Sequence, residues 1–492
     1  MGPSERPVTA PPAASLTSDA TTDRSTGFVK AISRLDATAL VVGSMIGSGI
    51  FIVSADILRQ VDSAGLLLTV WAVSGVVTLM GALSYGELAA MFPRAGGQYV
   101  YLREGISPLF GYLYGWTLFM VIQTGTIAAV AVAFARFTAV FFPALRPDVF
   151  LGTTINLGSG PIEVGLSPQR IFAVASVVVL TWINVRGVRT AALIQTTLTT
   201  VKTAALIGLI LLGITIGRDP AAAAANFGAD FGPPGGFTLS LLPVIGAAMV
   251  GSLFSMDAWN NVTFASGELK EPARDLPFAM AGGVLIVTVL YMLANFAYLS
   301  VLTVPEIQGA PEDRVATAAL QAMLGDAGLY LMAGAIMIST FGCNNGLILS
   351  GARVYYAMAR DDLFFRRAGE LHPAYRTPAF ALVAQAVWTS LLCLSGTYAE
   401  LLNYVIFAAL LFFMLTTIGL FLLRVRRPTA ERPVRAVGYP WIPGVYVLLT
   451  GLLCLNLLLQ PRQQRYAGLG LIIIAVGVPV YYAWRRWAAR SA

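Results

Sequence analysis

The stretch Val41-Val42-Gly43-Ser44-Met45-Ile46-Gly47-Ser48-Gly49-Ile50-Phe51 decides the fold. It lies in the middle of the first long apolar segment, where an unbroken α-helix is otherwise expected. Three glycines and two serines fall between Gly43 and Gly49, and each interior Gly costs a helix about 1 kcal/mol relative to Ala. Gly47-Ser48-Gly49 is therefore a place for a helix to stop and restart. Inside a bilayer, backbone freed in this way must be buried in protein or face a wet cavity. A broken membrane helix offers N–H groups and carbonyls to a small ligand near the midplane. Close helix packing is the competing reading, because Gly43 and Gly47 also form a G-x-x-x-G.

Composition supplies the setting. The chain has 492 residues, 57% of them hydrophobic and 12% charged, and a mean hydropathy of +0.73, which excludes an ordinary soluble domain. The remaining class is an all-α polytopic membrane protein. Twelve apolar segments are long enough to span, centred near residues 48, 78, 125, 178, 205, 252, 290, 343, 386, 412, 448 and 474. Residues 1–33, rich in Pro, Ser, Thr and Ala, read as a disordered cytoplasmic tail without the apolar core of a signal peptide.

When the spans alternate from an inner N-terminus, most of the 32 Lys and Arg fall on the inner side. Both termini are thus expected in the cytoplasm, at a cell (inner) membrane. The net charge of +7 reflects this asymmetry and implies no nucleic-acid partner.

Cys343, Cys393 and Cys454 all fall in expected spans, so neither a structural disulfide nor a disulfide-linked partner subunit is expected. The single histidine, His372, has no companions for a metal site, and none of Lys30, Lys202 and Lys270 follows a phosphate-binding loop. No catalytic carboxylate pair, His cluster or nucleophile–base arrangement occurs in the spans. The sequence implies neither an enzyme, a metal nor a cofactor.

The second span ends in Ser84-Tyr85-Gly86-Glu87-Leu88-Ala89-Ala90-Met91-Phe92-Pro93-Arg94-Ala95-Gly96-Gly97, with Pro93 and the glycines closing the helix. Glu87 either pairs with a loop arginine such as Arg94 or Arg103 or belongs to a cytoplasmic gate. Tyr99 to Pro108 then leads along the inner surface. Lys202, within Thr199-Thr200-Val201-Lys202-Thr203-Ala204, lies deep in the fifth span, where a lysine marks a functional site by default. Snorkelling towards the side of Arg186 and Arg189 is its bland alternative. Arg136 is expected near an outer helix end or a polar cavity, with no assigned role.

Gly47-Ser48-Gly49-Ile50-Phe51, the Glu87–Gly97 run and Tyr99-Val100-Tyr101-Leu102-Arg103-Glu104 together resemble the amino acid–polyamine–organocation superfamily. Within it the chain is most similar to the L-type amino acid transporter branch and its bacterial relatives, over roughly residues 34 to 440. The resemblance implies two inverted five-helix repeats, 34–217 and 238–427, followed by two helices within 436–490. It also implies a second broken helix five spans after the first. There, Gly251-Ser252-Leu253-Phe254-Ser255-Met256-Asp257-Ala258-Trp259-Asn260-Asn261 interrupts an apolar segment with a polar cluster. The following Ser266 to Pro277 resembles the family's loop after this helix.

By the same resemblance, a lysine at Lys202 substitutes for a sodium ion and ties the first helix to the fifth and eighth. Ser339 to Gly346 of span eight either lines the cavity beside the first break or packs helices through Gly342 and Gly346. The implied function is sodium-independent secondary transport of L-amino acids by alternating access, as an exchanger or a proton-coupled carrier. A polyamine or amine carrier using Asp257 is the alternative, and a non-transporting membrane sensor a further one.

An amino acid's carboxylate suits the N–H groups and positive helix end at Ser48, Gly49 and Ile50, where Gly47 and Gly49 leave the backbone open. Its ammonium suits carbonyls, which the family pattern puts at Met45, Ile46, Phe254, Ser255 and Asp257. Phe254 resembles a thin outer gate, and Trp259 a scaffold aromatic. The Asp257 carboxylate either pairs with a cationic substrate side chain or caps the second half of helix six.

Overall fold

A capping box opens the first helix: Ser33 and Asp36 satisfy each other's backbone N–H groups at the head of α1, Arg34–Met45. The computed structural model describes residues 30, 32–156, 161–228, 231–233, 235–395 and 398–491. After Ile46-Gly47-Ser48 the chain resumes as α2, Gly49–Val61, bent by 42° from α1. Helix α3, Ala64–Met91, is an unbroken apolar rod whose first turn is capped by the Ser63 hydroxyl. The expected surface segment is a short helix, α4, Gln98–Gly105. Helix α5, Pro108–Thr117, passes through a π-turn at Leu118–Ile122 into α6, Gln123–Thr138.

A two-stranded antiparallel hairpin follows, β1 Leu151–Asn156 and β2 Pro161–Leu166. The hairpin leaves no mark on the pattern of apolar spans, because it lies between two of them. Next come α7, Pro168–Val185, α8, Val188–Ile214, and the short α9, Pro220–Phe227. Helix α10, Leu241–Ser255, ends at the second polar cluster, and the chain continues through Met256 to Asn260 into a 3-10 helix, Asn261–Glu268. The remaining helices are α11 Pro272–Val301, α12 Val304–Gln308, α13 Val315–Leu324, α14 Asp326–Arg360, α15 Ala379–Cys393, α16 Tyr398–Arg426, α17 Trp441–Leu459 and α18 Pro461–Ser491.

Among the described residues nine helices are long and apolar enough to cross a membrane, or ten when α1 and α2 count as one bent span. The other two expected spans fall on α10 and α15, which are apolar but shorter. Large apolar residues stay exposed on the outer helices, among them Val178 and Trp182 of α7 and Leu448, Leu452 and Leu455 of α17. That girdle matches a lipid-facing surface. The protein is an all-α polytopic membrane protein.

The expected disordered tail falls largely outside the described residues, which begin at Lys30 and omit residue 31. Its last residues depart from that expectation. Ile32 is buried and exchanges backbone hydrogen bonds with Glu268 and Lys270, and Ser33 caps α1. The base of α1 is thereby tied to the segment that follows the second break. Helix α1 packs against α8, α11 and α14, while α2 packs against α10. This packing sets the two interruptions beside each other.

Candidate functional site at two helix breaks

The first break exposes several successive carbonyls, and side chains from three surrounding helices meet them. Lys202 of α8 is buried, and its ammonium donates to the carbonyls of Gly43 and Ile46 (2.7 Å for Ile46), with Ser339 O at 3.5 Å. A lysine at this depth therefore ends on backbone oxygens of α1 and α14, and the snorkelling alternative is excluded. The Ser339 hydroxyl donates to Ile46 O and Gly47 O, and Cys343 Sγ–H to Ser44 O. The Ile46 carbonyl, expected to take a substrate ammonium, is already the joint acceptor for Lys202 and Ser339. Gly49 and Ile50 head α2, where the first N–H groups of a helix have no intrahelical partner.

The glycines of the first break also permit close packing. A Cβ on Gly49 would lie 2.0 Å from Ser255 Oγ, so Gly49 permits the contact between α2 and the end of α10. A Cβ on Gly43 would overlap Thr199 and Gln195 of α8, and one on Gly47 would press on Cys343. The break and the close packing are thus one feature, and the two competing readings of the glycines are both realised.

The second break is built differently. Helix α10 ends at Ser255, Met256 and Asp257 turn away, and Ala258 takes a positive φ of 67°. The 3-10 helix that follows has Asn260 at its N-cap position, so Asp257 does not cap it. The expected α-helical restart is absent: three residues, Ala258 to Asn260, separate Asp257 from the helix that follows, and that helix is the tighter 3-10 form. Phe254 is buried, and the Ser255 hydroxyl is spent on Gly251 O. Trp259 packs edge-on against Tyr85 and tilted against Phe413, as a scaffold aromatic would.

A residue the sequence reading missed joins the two breaks. Tyr291 of α11 donates from one hydroxyl towards Met45 O at 2.9 Å and Ser255 O at 3.2 Å. One and two turns further along the same face, Asn295 pairs with Ser54, and the Tyr298 hydroxyl reaches Ile50 O. Tyr291, Asn295 and Tyr298 follow i, i+4, i+7, a polar stripe on an apolar helix that was a usable signal. Beyond the breaks, a cavity of about 810 Å³ opens between α2, α10, α16 and α18, lined in part by Val53, Asp56, Val250, Gly251 and Asn403.

Comparison with known proteins gives this geometry a family. The family model described as amino acid permease matches residues 32–481. The chain is 30% identical over 462 residues to the serine/threonine exchanger SteT of Bacillus subtilis, covering 94% of this chain and 98% of that protein. The chain belongs to the amino acid permease family. It is also 30% identical over 471 residues to the large neutral amino acids transporter small subunit 2 of Homo sapiens, covering 93% of this chain and 81% of that protein. With the b(0,+)-type amino acid transporter 1 of Mus musculus it shares 27% identity over 464 residues, 93% of this chain and 88% of that one. A permease of this family is a transporter and not an enzyme.

At the charge-rich end of the permease the ion pairs differ from those expected. Glu87 is fully buried on α3 and binds Arg424 and Arg432, with the Ala436 N–H at 2.8 Å. Neither Arg94 nor Arg103 is its partner; Arg103 pairs with Asp361, which also accepts from Tyr99. Burial, together with the Asp361 carboxylate, raises the Tyr99 phenol above its ordinary range, so it stays a neutral donor. Arg424 also stacks over Tyr439 at 3.6 Å. Arg353 is buried on α14 and paired with the buried Glu268 at 3.0 Å. Arg136 ends α6 at the opposite side and meets Glu312, which also pairs with Arg314.

Span eight meets both the first break and the neighbouring helices. Ser339 and Cys343 face the first break, while Gly342 packs on Leu198 and Gly346 on Gln195 and Ser44. All three cysteines are buried and free.

Proposed function

We propose that this permease is a sodium-independent secondary transporter of L-amino acids that works by alternating access, with its N- and C-termini in the cytoplasm. The observation that carries the reading is Lys202, whose ammonium occupies the carbonyls of Gly43 and Ile46 where a coupling cation would otherwise be needed. A fixed ammonium there holds the break open without any ion from solution. Residues 34–217 and 238–427 form the two inverted repeats, and the helices within 436–490 pack outside them.

The substrate carboxylate binds the Ser48, Gly49 and Ile50 amides at the head of α2, where the helix dipole favours an anion. The ammonium faces the carbonyls of Met45, Phe254, Ser255 and Asp257. Ser255 O already accepts from Tyr291, and its second lone pair leaves room for one more donor; Met45 O takes both Tyr291 and the Gly47 N–H, so an ammonium there displaces one of them. Phe254 covers the site from the outer cavity, and Glu87 with its arginines closes the inner side. Because the bacterial relative is a serine/threonine exchanger, L-serine and L-threonine are the first substrates to try.

The test is uptake of labelled L-serine, L-alanine, L-leucine and L-arginine into proteoliposomes, in sodium and in choline buffers. Equal uptake in the two buffers is expected. A requirement for sodium would refute the part given to Lys202, and transport of putrescine alone would replace amino acids with amines.

A further inference from the structure

The backbone site leaves the Asp257 carboxylate unused. This side chain is 9% exposed at the second break, at mid-length of a membrane segment, and it receives the Ala258 N–H. It lines two small cavities of about 10 Å³ each, room for roughly one water apiece. One is shared with Tyr114, Gln123, Thr126 and Asn261, and the other with Thr78, Met256 and Tyr446. The titratable groups facing it are Tyr114 of α5, Tyr446 of α17 and Cys343 of α14. Helix α3 presents Val77 and Thr78, α6 presents Gln123 and Thr126, and α16 presents only apolar side chains. Among the described residues lining the two cavities there is no Lys or Arg. Lys202 is felt at Cys343, but its ammonium is committed to the first break.

An ionised carboxylate so placed, with no cation to pair it, is costly in a membrane interior, whereas the neutral acid is cheap to bury. The deprotonated form also has a donor within its cavity, because the buried Asn261 Nδ2 has no hydrogen-bond partner. The site therefore tolerates both states and changes between them when hydration changes. The second break is the part of the permease whose access to water must alternate during transport.

We propose that Asp257 is the proton-binding site of this permease: its carboxyl takes a proton from outer water, crosses neutral with the amino acid, and releases the proton to inner water. This rests on the transport reading above. It makes the carrier a proton symporter and sets aside a purely exchanging one.

The experiment uses the full chain in proteoliposomes with a trapped pH-sensitive dye and labelled L-serine. In the wild type, added L-serine is expected to acidify the lumen, with faster uptake at an outer pH of about 5.5 than at about 7.5. In Asp257→Asn the ratio of protons to serine taken up falls to background and the pH dependence flattens; Asp257→Glu restores both. Should the Asn variant fail to fold, the Glu variant is read alone, and it shifts the midpoint of the pH profile. Wild-type uptake of L-serine without acidification, an unchanged proton ratio in Asp257→Asn, or an unmoved midpoint in Asp257→Glu each overturns the proposal. So does a loss confined to L-arginine uptake, which would give the carboxylate to cationic substrates. If no L-amino acid enters at all, the transport reading itself fails, an outcome distinct from uptake without protons.

Discussion

The two helix breaks lie side by side and are held by opposite means. At the first, side-chain donors from α8, α11 and α14 occupy the carbonyls of Gly43, Ser44, Met45, Ile46 and Gly47. At the second, Tyr291 reaches Ser255 O, but the turn itself rests on a left-handed Ala258 and a carboxylate with no cation among the described residues lining its cavities. A buried ammonium with three acceptors is a permanent tie. An acid between two small cavities is a conditional one. The first break is thus built as scaffold, and the second as the part that responds to water and substrate.

The largest test of this contrast removes the permanent tie. Lys202→Met keeps the bulk of the side chain but leaves the Gly43 carbonyl unsatisfied and the Ile46 carbonyl with Ser339 alone. Each orphaned buried group costs about 1–3 kcal/mol, offset in part because no charge need be buried any longer. A loss of about 2–3 kcal/mol in detergent unfolding is expected, with uptake falling at least about tenfold. Stability and uptake both within error of the wild type would show that the first break needs no tie.

Gly49→Ala comes next, because its Cβ would meet Ser255 Oγ at 2.0 Å and the Ser255 Cα at 3.0 Å. Overpacking of this kind costs about 1–3 kcal/mol. Ser255→Gly in the same chain should restore part of the lost L-serine uptake by removing the nearer atoms. A double variant no better than the single one would mean that Gly49 serves the ligand and not the neighbouring helix.

The first break was legible because its signal is local: three glycines and two serines cluster between Gly43 and Gly49 of an apolar run. The depth of Lys202 was legible on the same ground, since a charge among apolar residues stands out at any range. Partners were not. Glu87 and Arg424 are separated by 337 positions, and nothing near Glu87 in sequence distinguishes them from the closer Arg94. The pairing of the buried Arg353 was equally illegible, because its acid, Glu268, lies 85 positions away at the end of the 3-10 helix that follows the second break. Asp257 resembled a helix cap by residue type alone. Capping depends on where the helix restarts, and a positive φ at Ala258 moved that point to Asn260.

Tyr291→Phe sharpens the comparison by cutting the one donor shared by both breaks. Loss of a hydroxyl bonded to two carbonyls should cost about 1–2 kcal/mol, and both carbonyls retain other donors or lone pairs for water. If the first break is scaffold, the variant keeps its fold and loses affinity for L-serine more than maximal rate. A fall in maximal rate with unchanged affinity would instead make Tyr291 part of the moving machinery.

The smallest expected effect belongs to Ala258→Gly. A left-handed conformation costs an L-residue about 1–2 kcal/mol, and Gly removes that strain. The gain is offset by about 0.4–1 kcal/mol of additional freedom in the unfolded chain, so the net change should lie within about 1 kcal/mol on the stabilising side. Thermal unfolding in detergent measures it directly. A clear destabilisation would mean that the Ala258 methyl, which is buried beside Asp257, packs the turn and contributes more than its backbone costs. In that case the second break is held by packing as firmly as the first is held by Lys202, and the contrast between a fixed and a responsive break disappears.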